Sequence, residues 1–239
     1  MKIGIFGRGR LGSVIAAQAG VDLNWCIRKG EEPGGKVDVV IDASHPDAVA
    51  AHVRYALDHS TPLVIGTTGW TMPDLKERVG NKIGVLVAPN FSLTVALMAR
   101  LAVVLGRFSA LDDRRDLYIA EHHHAGKIDA PSGTARMLAE LMMKACPRKT
   151  SWKVGAPVTR DQLSISVQRA GSTYSSHTIG LDDPSEFLEI RHTARSAAVY
   201  AQGALAASQW ILSRKGLYTF ADMAAPMVDS LFQSKLEAR

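Results

Sequence analysis

Apolar and polar positions follow two different rhythms along this chain, and the change between them divides it. Up to residue 92, short apolar runs alternate with stretches of helical spacing. Lys2-Ile3-Gly4-Ile5-Phe6 predicts a buried strand, and Ser13-Val14-Ile15-Ala16-Ala17-Gln18 predicts a helix directly behind a glycine turn. Further strands are expected over Val21 to Ile27, Val37 to Asp42, Pro62 to Ile65 and Ile83 to Val87, with a helix reaching about His59 and another following. Strand–helix alternation of this kind builds a parallel sheet covered by helices. Leu93 to Phe108 predicts one long helix. Beyond it, strand-like segments over 115–120, 163–169, 177–180 and 187–193 come without regular crossover helices, which indicates an α+β arrangement. Arg136 to Lys144 and Val199 to Leu212 have helical spacing, and the tail to Arg239 is mixed. The polar Ala170-Gly171-Ser172-Thr173-Tyr174-Ser175-Ser176 predicts a mobile or interface loop.

Composition narrows the functional classes. With 239 residues, 46% hydrophobic and 21% charged, the chain has ample core for one large or two modest domains. Its net charge of +5 is scattered, with no basic run interleaved with aromatics, so nucleic acid is not an expected partner and anionic small molecules are. Cys26 and Cys146 form no CxxC pair, as expected of free thiols in a reducing compartment. The strand-like start leaves no room for a signal peptide. The apolar stretch from Val95 to Leu105 is interrupted by Arg100 and reads as too short to span a bilayer. The expectation is a cytoplasmic protein with no membrane partner.

The glycine turn adds chemistry. Gly7-Arg8-Gly9-Arg10-Leu11-Gly12 lies between a predicted strand and a predicted helix, the context in which GxGxxG binds a dinucleotide. The glycines there allow a tight turn, close approach of a pyrophosphate and close helix–sheet packing. The fold class expected is therefore α/β, with an N-terminal Rossmann dinucleotide-binding domain over 1–92 plus 200–239. An α+β substrate-binding and oligomerisation domain is expected over 93–199. A Rossmann second strand usually ends in an acidic residue that binds the ribose, whereas Arg28-Lys29 stand there in this chain. Cations would pair with a 2′-phosphate, which favours NADPH over NADH, although Glu31 and Glu32 lie close by. Gly66-Thr67-Thr68-Gly69 and Ala88-Pro89-Asn90-Phe91-Ser92 each follow a predicted strand, at the edge where ligands of parallel sheets bind.

The densest chemistry lies in Ile119-Ala120-Glu121-His122-His123-His124-Ala125-Gly126-Lys127-Ile128-Asp129-Ala130-Pro131-Ser132-Gly133-Thr134-Ala135. Three histidines and a lysine precede a helix that starts at Pro131 and Ser132, as proline and a hydroxyl residue prefer. The N–H groups of Ser132, Gly133 and Thr134 are expected to face an anion, helped by the helix dipole. Cations beside such donors suit a carboxylate-bearing substrate. Adjacent histidines on an extended chain alternate faces, so the run is not expected to converge on a metal ion.

These segments together resemble the 4-hydroxy-tetrahydrodipicolinate reductase family, also called dihydrodipicolinate reductase. Gly9-Arg10-Leu11-Gly12 is similar to the family's cofactor turn, and Val37 to Pro46 to its third strand and Asp-hydroxyl-Pro exit. The Gly66 and Ala88 loops match the family's Gly-Thr-Thr-Gly loop and the loop beside the nicotinamide. The signature Glu-x-His-His-x-x-Lys-x-Asp-Ala-Pro-Ser-Gly-Thr-Ala is present with its histidine pair at His123 and His124. The resemblance implies that His123 is the catalytic proton donor or acceptor and Lys127 a proton donor. It also implies that His124, Lys127, Gly133 and Thr134 bind the carboxylates of a cyclic dicarboxylate, that the cofactor is NADPH or NADH, and that the assembly is a homotetramer built through the second domain's sheet. Three departures stand out: a first turn one residue tighter than the GxxGxxG form, Arg28 in place of an acidic residue, and Ala197 where many members carry a substrate-contacting arginine, with Arg195 two residues earlier. A different imine reductase or a non-catalytic dinucleotide sensor would share the glycine turn but would not need the His123-to-Thr134 constellation.

Overall fold

Four consecutive apolar residues form strand β1 (Ile3–Phe6), buried at every position as in a strand covered on both faces. The structure, a computed structural model, describes residues 1–232. Gly9 precedes helix α1 (Arg10–Ala19). A short turn over Gly20–Asp22 delays strand β2 to Leu23–Ile27, later than the apolar pattern predicts, and leaves Val21 exposed. Strand β3 (Val39–Asp42), helix α2 (Val49–Asp58), strand β4 (Leu63–Ile65), the short helix α3 (Leu75–Val79) and strand β5 (Gly84–Val87) follow.

Helix α4 (Leu93–Ala110) is 18 residues long and apolar enough, by length and composition, to cross a bilayer, which corrects the reading of this stretch as too short. Its Met98, Ala102 and Leu105 are instead built into a protein core, while Arg100 and Arg107 are exposed. Strand β6 (Asp116–His123) alternates outward and buried positions, and helix α5 (Gly133–Ala145) covers its buried face. Strands β7 (Ser151–Val154), β8 (Gln162–Arg169), β9 (Ser175–Asp183) and β10 (Glu186–Ala194) complete a five-stranded mixed sheet in the order β10-β9-β6-β8-β7. Leu117 and Ile119 of β6, Leu163 and Ile165 of β8, and Ile179 and Leu181 of β9 form its core with α4 and α5. Gly106 of α4 lies against Ala145 and the Met142 carbonyl of α5, where a side chain would force the two helices apart. Strand β7 carries no clean alternation and was not legible as a strand.

The chain then returns as helix α6 (Ala198–Ile211), strand β11 (Gly216–Thr219) and helix α7 (Phe220–Ser230), the last held by a capping box between Thr219 and Asp222. Strand β11 pairs parallel with β5 and completes a six-stranded parallel sheet, β11-β5-β4-β3-β1-β2. Helix α6 packs on β3, β4 and β5 and against α1. The described chain thus forms two compact units, Met1–Leu93 with the chain from Ala197 onward, and Thr94–Ser196. In the first unit strand order reverses at β1, so the crevice beyond the carboxyl ends of β1 and β3 is the position where open α/β sheets hold ligands.

Candidate active site

The exits of β1 and β3 meet at this crevice. Gly7 has φ +103° and lies so close to the Ala43 backbone that a side chain would overlap it, and a side chain on Gly12 would overlap the Gly7 carbonyl. At Gly9, by contrast, a methyl group would meet nothing within 4 Å. No side chain caps α1, whose first turn carries Arg10, Leu11 and Gly12 at its positive end. These are the features a pyrophosphate needs. At the end of β2, Arg8 donates to the Cys26 carbonyl and, at 3.2 Å, to Glu31, which itself accepts the Arg28 N–H at 2.9 Å. Glu31 therefore shapes this turn, with Arg28 and Lys29 exposed around it.

Asp42 closes β3 and is fully buried. It accepts from Ser44 Oγ at 2.6 Å, Thr67 Oγ1 at 2.7 Å and the Ser44 N–H at 3.0 Å, while His52 Nδ1 lies 2.9 Å away. Burial would raise its pKa, but the His52, Ser44 and Thr67 hydrogen bonds prevail and hold it below the ordinary carboxylate value. Within this network the Thr67 hydroxyl donates to Asp42 and accepts the Ser44 N–H at 2.9 Å. Ala88 and Phe91 are core residues. Phe91 packs edge-on against Phe220 and lies under Gly66, and its backbone carbonyl lies against Gly203 of α6. Gly66, Thr68, Pro89 and Asn90 lie on the loops that leave β4 and β5, with Asn90 Oδ1 accepting the Ser92 N–H at 2.8 Å.

In the second unit, the period of two along β6 puts Glu121 and His123 on the buried face and turns His122 to the other, where its Nε2 lies 3.0 Å from the Ala170 carbonyl. Glu121 is the hub. It accepts the Ser132 N–H with both oxygens at 3.1 Å and lies 2.6 Å from Arg169 Nη2 and 3.5 Å from His177 Nε2. Burial acts to raise its pKa, yet the His177, Ser132 and Arg169 donors outweigh it and hold it well below the carboxylate range. Ser132 caps α5, its Oγ accepting from Ala135 N–H at 3.1 Å and lying 3.0 Å from His177 Nε2. The expectation that Ser132 offers its N–H to substrate is therefore corrected: Glu121 already occupies it. Gly133 and Thr134 follow in the first turn, where backbone N–H groups have no intrahelical acceptor, and Gly133 has open space around it.

His123 is buried, and its Nδ1 has no hydrogen-bond partner. Burial, with the neighbouring His177, pushes its pKa down to about 4 despite Glu121. A neutral imidazole at pH 7 is thus its resting state. Lys127, on the loop after β6, pairs with Asp129 at 2.6 Å. His124 begins that loop, its carbonyl accepting the Lys127 N–H.

Glu121, His123 and His177 bring potential ligand atoms within 4.8 Å of one another, a convergence the histidine run alone could not provide. The Arg169 cation at 2.6 Å from Glu121 already neutralises that carboxylate, which disfavours a second positive charge there. His177 and Arg169 escaped the sequence reading, which had Asp42 only as the acidic residue closing the third strand. The signal for His177 lay in long-range pairing, since it sits directly opposite Glu121 across β6 and β9.

Comparison with known proteins gives the family of the chain. The family described as "Dihydrodipicolinate reductase, N-terminus" matches residues 19–91, and "Dihydrodipicolinate reductase, C-terminus" matches residues 92–224. A 4-hydroxy-tetrahydrodipicolinate reductase of Alkaliphilus oremlandii is 33% identical over 95% of this chain and 100% of its own length. One from Campylobacter curvus is 38% identical over 77% of this chain and 76% of its own. Among solved structures, a dipicolinate-bound dihydrodipicolinate reductase from Paenisporosarcina sp. TG-14 shares the fold with TM-score 0.71 at 24% identity, covering 93% of this chain and 99% of that one. The glycine turn before residue 19, one residue tighter than the family's longer form, lies outside the N-terminal match, while the Glu121-to-Thr134 site lies wholly inside the C-terminal one. The chain belongs to the 4-hydroxy-tetrahydrodipicolinate reductase family.

Proposed function

We propose that this protein reduces 4-hydroxy-tetrahydrodipicolinate to tetrahydrodipicolinate with NAD(P)H, in lysine and diaminopimelate biosynthesis. The observation that carries the reading is the full-length match to a reductase of that name together with His123, Lys127 and the α5 N-terminus gathered in one unit. A reduced nicotinamide, when bound, would supply the hydride. The chain's own residues bind the two carboxylates and deliver the proton. The N–H groups of Gly133 and Thr134 at the positive end of α5, with His124 and Lys127, suit the carboxylates. Loss of the 4-hydroxyl with a ring proton, as water, leaves an unsaturated ring; once that ring is reduced at C4, the resulting enamine takes a proton from a positioned acid. Lys127 is the proton donor in this proposal, because His123 is neutral in the free enzyme. A carboxylate arriving beside His123 supplies the negative charge that raises its pKa, so His123 joins as an acid when substrate is bound.

NADPH is the preferred cofactor in this proposal, its 2′-phosphate read by Arg28 and Lys29, with Arg8 close by on the Glu31 carboxylate. The reducing compartment that supplies NADPH suits the two free thiols, Cys26 and Cys146. Assembly as a homotetramer through the second unit's sheet would cover Phe187 and Leu188, which stand exposed on edge strand β10.

The test is oxidation of NADPH and of NADH, followed optically, with substrate generated fresh from pyruvate and aspartate semialdehyde by the preceding synthase. Substrate-dependent oxidation is expected, and Lys127→Ala is expected to lower kcat by about 100-fold or more, the usual worth of a positioned acid. A folded protein that oxidises neither cofactor would overturn the reading.

A further inference from the structure

The loop that carries Lys127 has little apolar anchorage of its own. Ala125, Gly126, Ile128, Asp129 and Ala130 are all exposed. What holds it is the turn that leaves β8, Arg169-Ala170-Gly171. The Ala170 N–H donates to the His123 carbonyl at 3.1 Å, and the Ala170 carbonyl lies 3.0 Å from His122 Nε2. The Gly171 carbonyl accepts the Ala125 N–H at 3.1 Å. Arg169 Nη2 reaches both the Glu121 carboxylate at 2.6 Å and the Asp129 carbonyl at 2.7 Å, and Nη1 donates to the Gln168 carbonyl at 2.9 Å. One tripeptide thus touches the strand end, the start of the loop and its far side.

We infer that Arg169 is a positioning residue for the reaction, fastening the Lys127 loop to the Glu121 hub so that Lys127 and His123 keep a fixed relation. The inference rests on the function proposed above and extends it to a residue that need not touch substrate. Two features make the arrangement specific. The Arg169 Nε is buried without a hydrogen-bond partner, so the terminal nitrogens alone fix the side chain's direction. A lysine would present a single point charge where the guanidinium presents a rigid fork, and could not hold the same set of acceptors in the same geometry. The Glu121 charge that Arg169 offsets also matters, because a bare carboxylate behind the α5 N-terminus would repel a dicarboxylate ligand. The backbone contributes independently: Gly171 has φ +59° yet faces open space, so Gly171→Ala strains the turn without a clash.

The experiment pairs Arg169→Ala, Arg169→Lys and Gly171→Ala with two readouts, steady-state kinetics and amide hydrogen exchange. In Arg169→Ala, exchange across 124–130 is expected to accelerate while α5 and the buried residues of β8 stay protected. In the same variant kcat is expected to fall by about 10- to 100-fold, the cost of a misplaced catalytic group, with the cofactor KM unchanged. Millimolar guanidinium is expected to restore part of that kcat, which no general loss of stability would allow. Arg169→Lys is expected to recover less than half of the loss, and Gly171→Ala to act in the same direction more weakly. Unchanged exchange across 124–130 in both Arg169→Ala and Gly171→Ala would overturn the inference, as would wild-type kcat in Arg169→Ala. If Arg169→Ala does not fold, Gly171→Ala decides alone. If the wild-type protein does not reduce the proposed substrate, the functional reading fails while the exchange measurement still tests the fastening.

Discussion

His123 and His177 meet edge to face, their ring centroids 5.1 Å apart, in a buried cluster whose negative charge, Glu121, is shared with Ser132 and Arg169. The consequence is an acid-sensitive fold. Burial, then His177, and then the Lys127 and Arg169 charges press His123 down to about 4 from its ordinary 6.5. A histidine held neutral in the folded state contributes stability that is complete above 6.5 and is lost as pH falls from there towards 4. The gap corresponds to roughly 3 kcal/mol. Glu121, also depressed, adds a loss in the same direction, beginning below its ordinary 4.5. Urea midpoints measured from pH 7.5 to 3.5 should therefore fall steadily, and His123→Gln should flatten the upper part of that fall. A nuclear magnetic resonance titration of His123 near 6.5 would contradict this account.

The three glycines of the first turn separate folding from binding. A methyl group on Gly12 would overlap the Gly7 carbonyl, whereas on Gly9 it would meet nothing in the protein. Gly12→Ala should lower the thermal midpoint by several degrees. Gly9→Ala should leave it within about a degree while raising the cofactor KM at least tenfold, since only a bound pyrophosphate would feel the added group. Equal stability losses in both variants would show that Gly9 is structural.

Asp42 ties together the exits of β3 and β4. In Asp42→Asn the amide can keep one acceptor but leaves the partly buried His52 and the hydroxyl partners imperfectly matched. A loss of about 2 kcal/mol is expected, with a raised cofactor KM and an unchanged KM for the dicarboxylate. Because the Asp42 pKa is lowered in the fold, its contribution is present above the ordinary aspartate range and disappears as pH falls through it. A rise in the dicarboxylate KM alone would refute this division of labour.

Cofactor choice rests on the turn after β2. Replacing Arg28 and Lys29 together by alanine should lower kcat/KM for NADPH by about 10- to 100-fold, the worth of one or two charge-assisted contacts. NADH should be little affected. Glu31→Gln should act oppositely, since it releases Arg8 and removes the charge that repels a 2′-phosphate. Parallel changes for both cofactors would place these residues outside the 2′-phosphate site.

The parallel sheet was legible because its strands are continuous apolar runs, and the Lys127 loop because its motif is contiguous in sequence. Strand β7 and strand β11 were missed for the opposite reason: Ser151-Trp152-Lys153-Val154 and Gly216-Leu217-Tyr218-Thr219 are edge strands with half-exposed residues and no clear period. The site's supporting residues were hidden by distance along the chain. Arg169 reaches Glu121 across 48 positions, and Thr67 reaches Asp42 across 25, so neither contact leaves a local pattern. Local reading also erred where one residue serves two masters. Ser132 sits where a substrate-binding donor belongs, yet Glu121, from the preceding strand, takes its N–H first.

The first unit is built from two separated stretches, whereas Thr94–Ser196 is contiguous. During synthesis the contiguous unit has all its strands and both its helices before β11 and α6 exist. The nucleotide-binding sheet must wait, with the apolar faces of β3, β4 and β5 that α6 will cover left bare. The order in which the ribosome delivers the chain therefore makes the inserted unit the earlier folder, and gives a chain arrested near residue 196 a sticky, half-covered sheet that a chaperone would recognise.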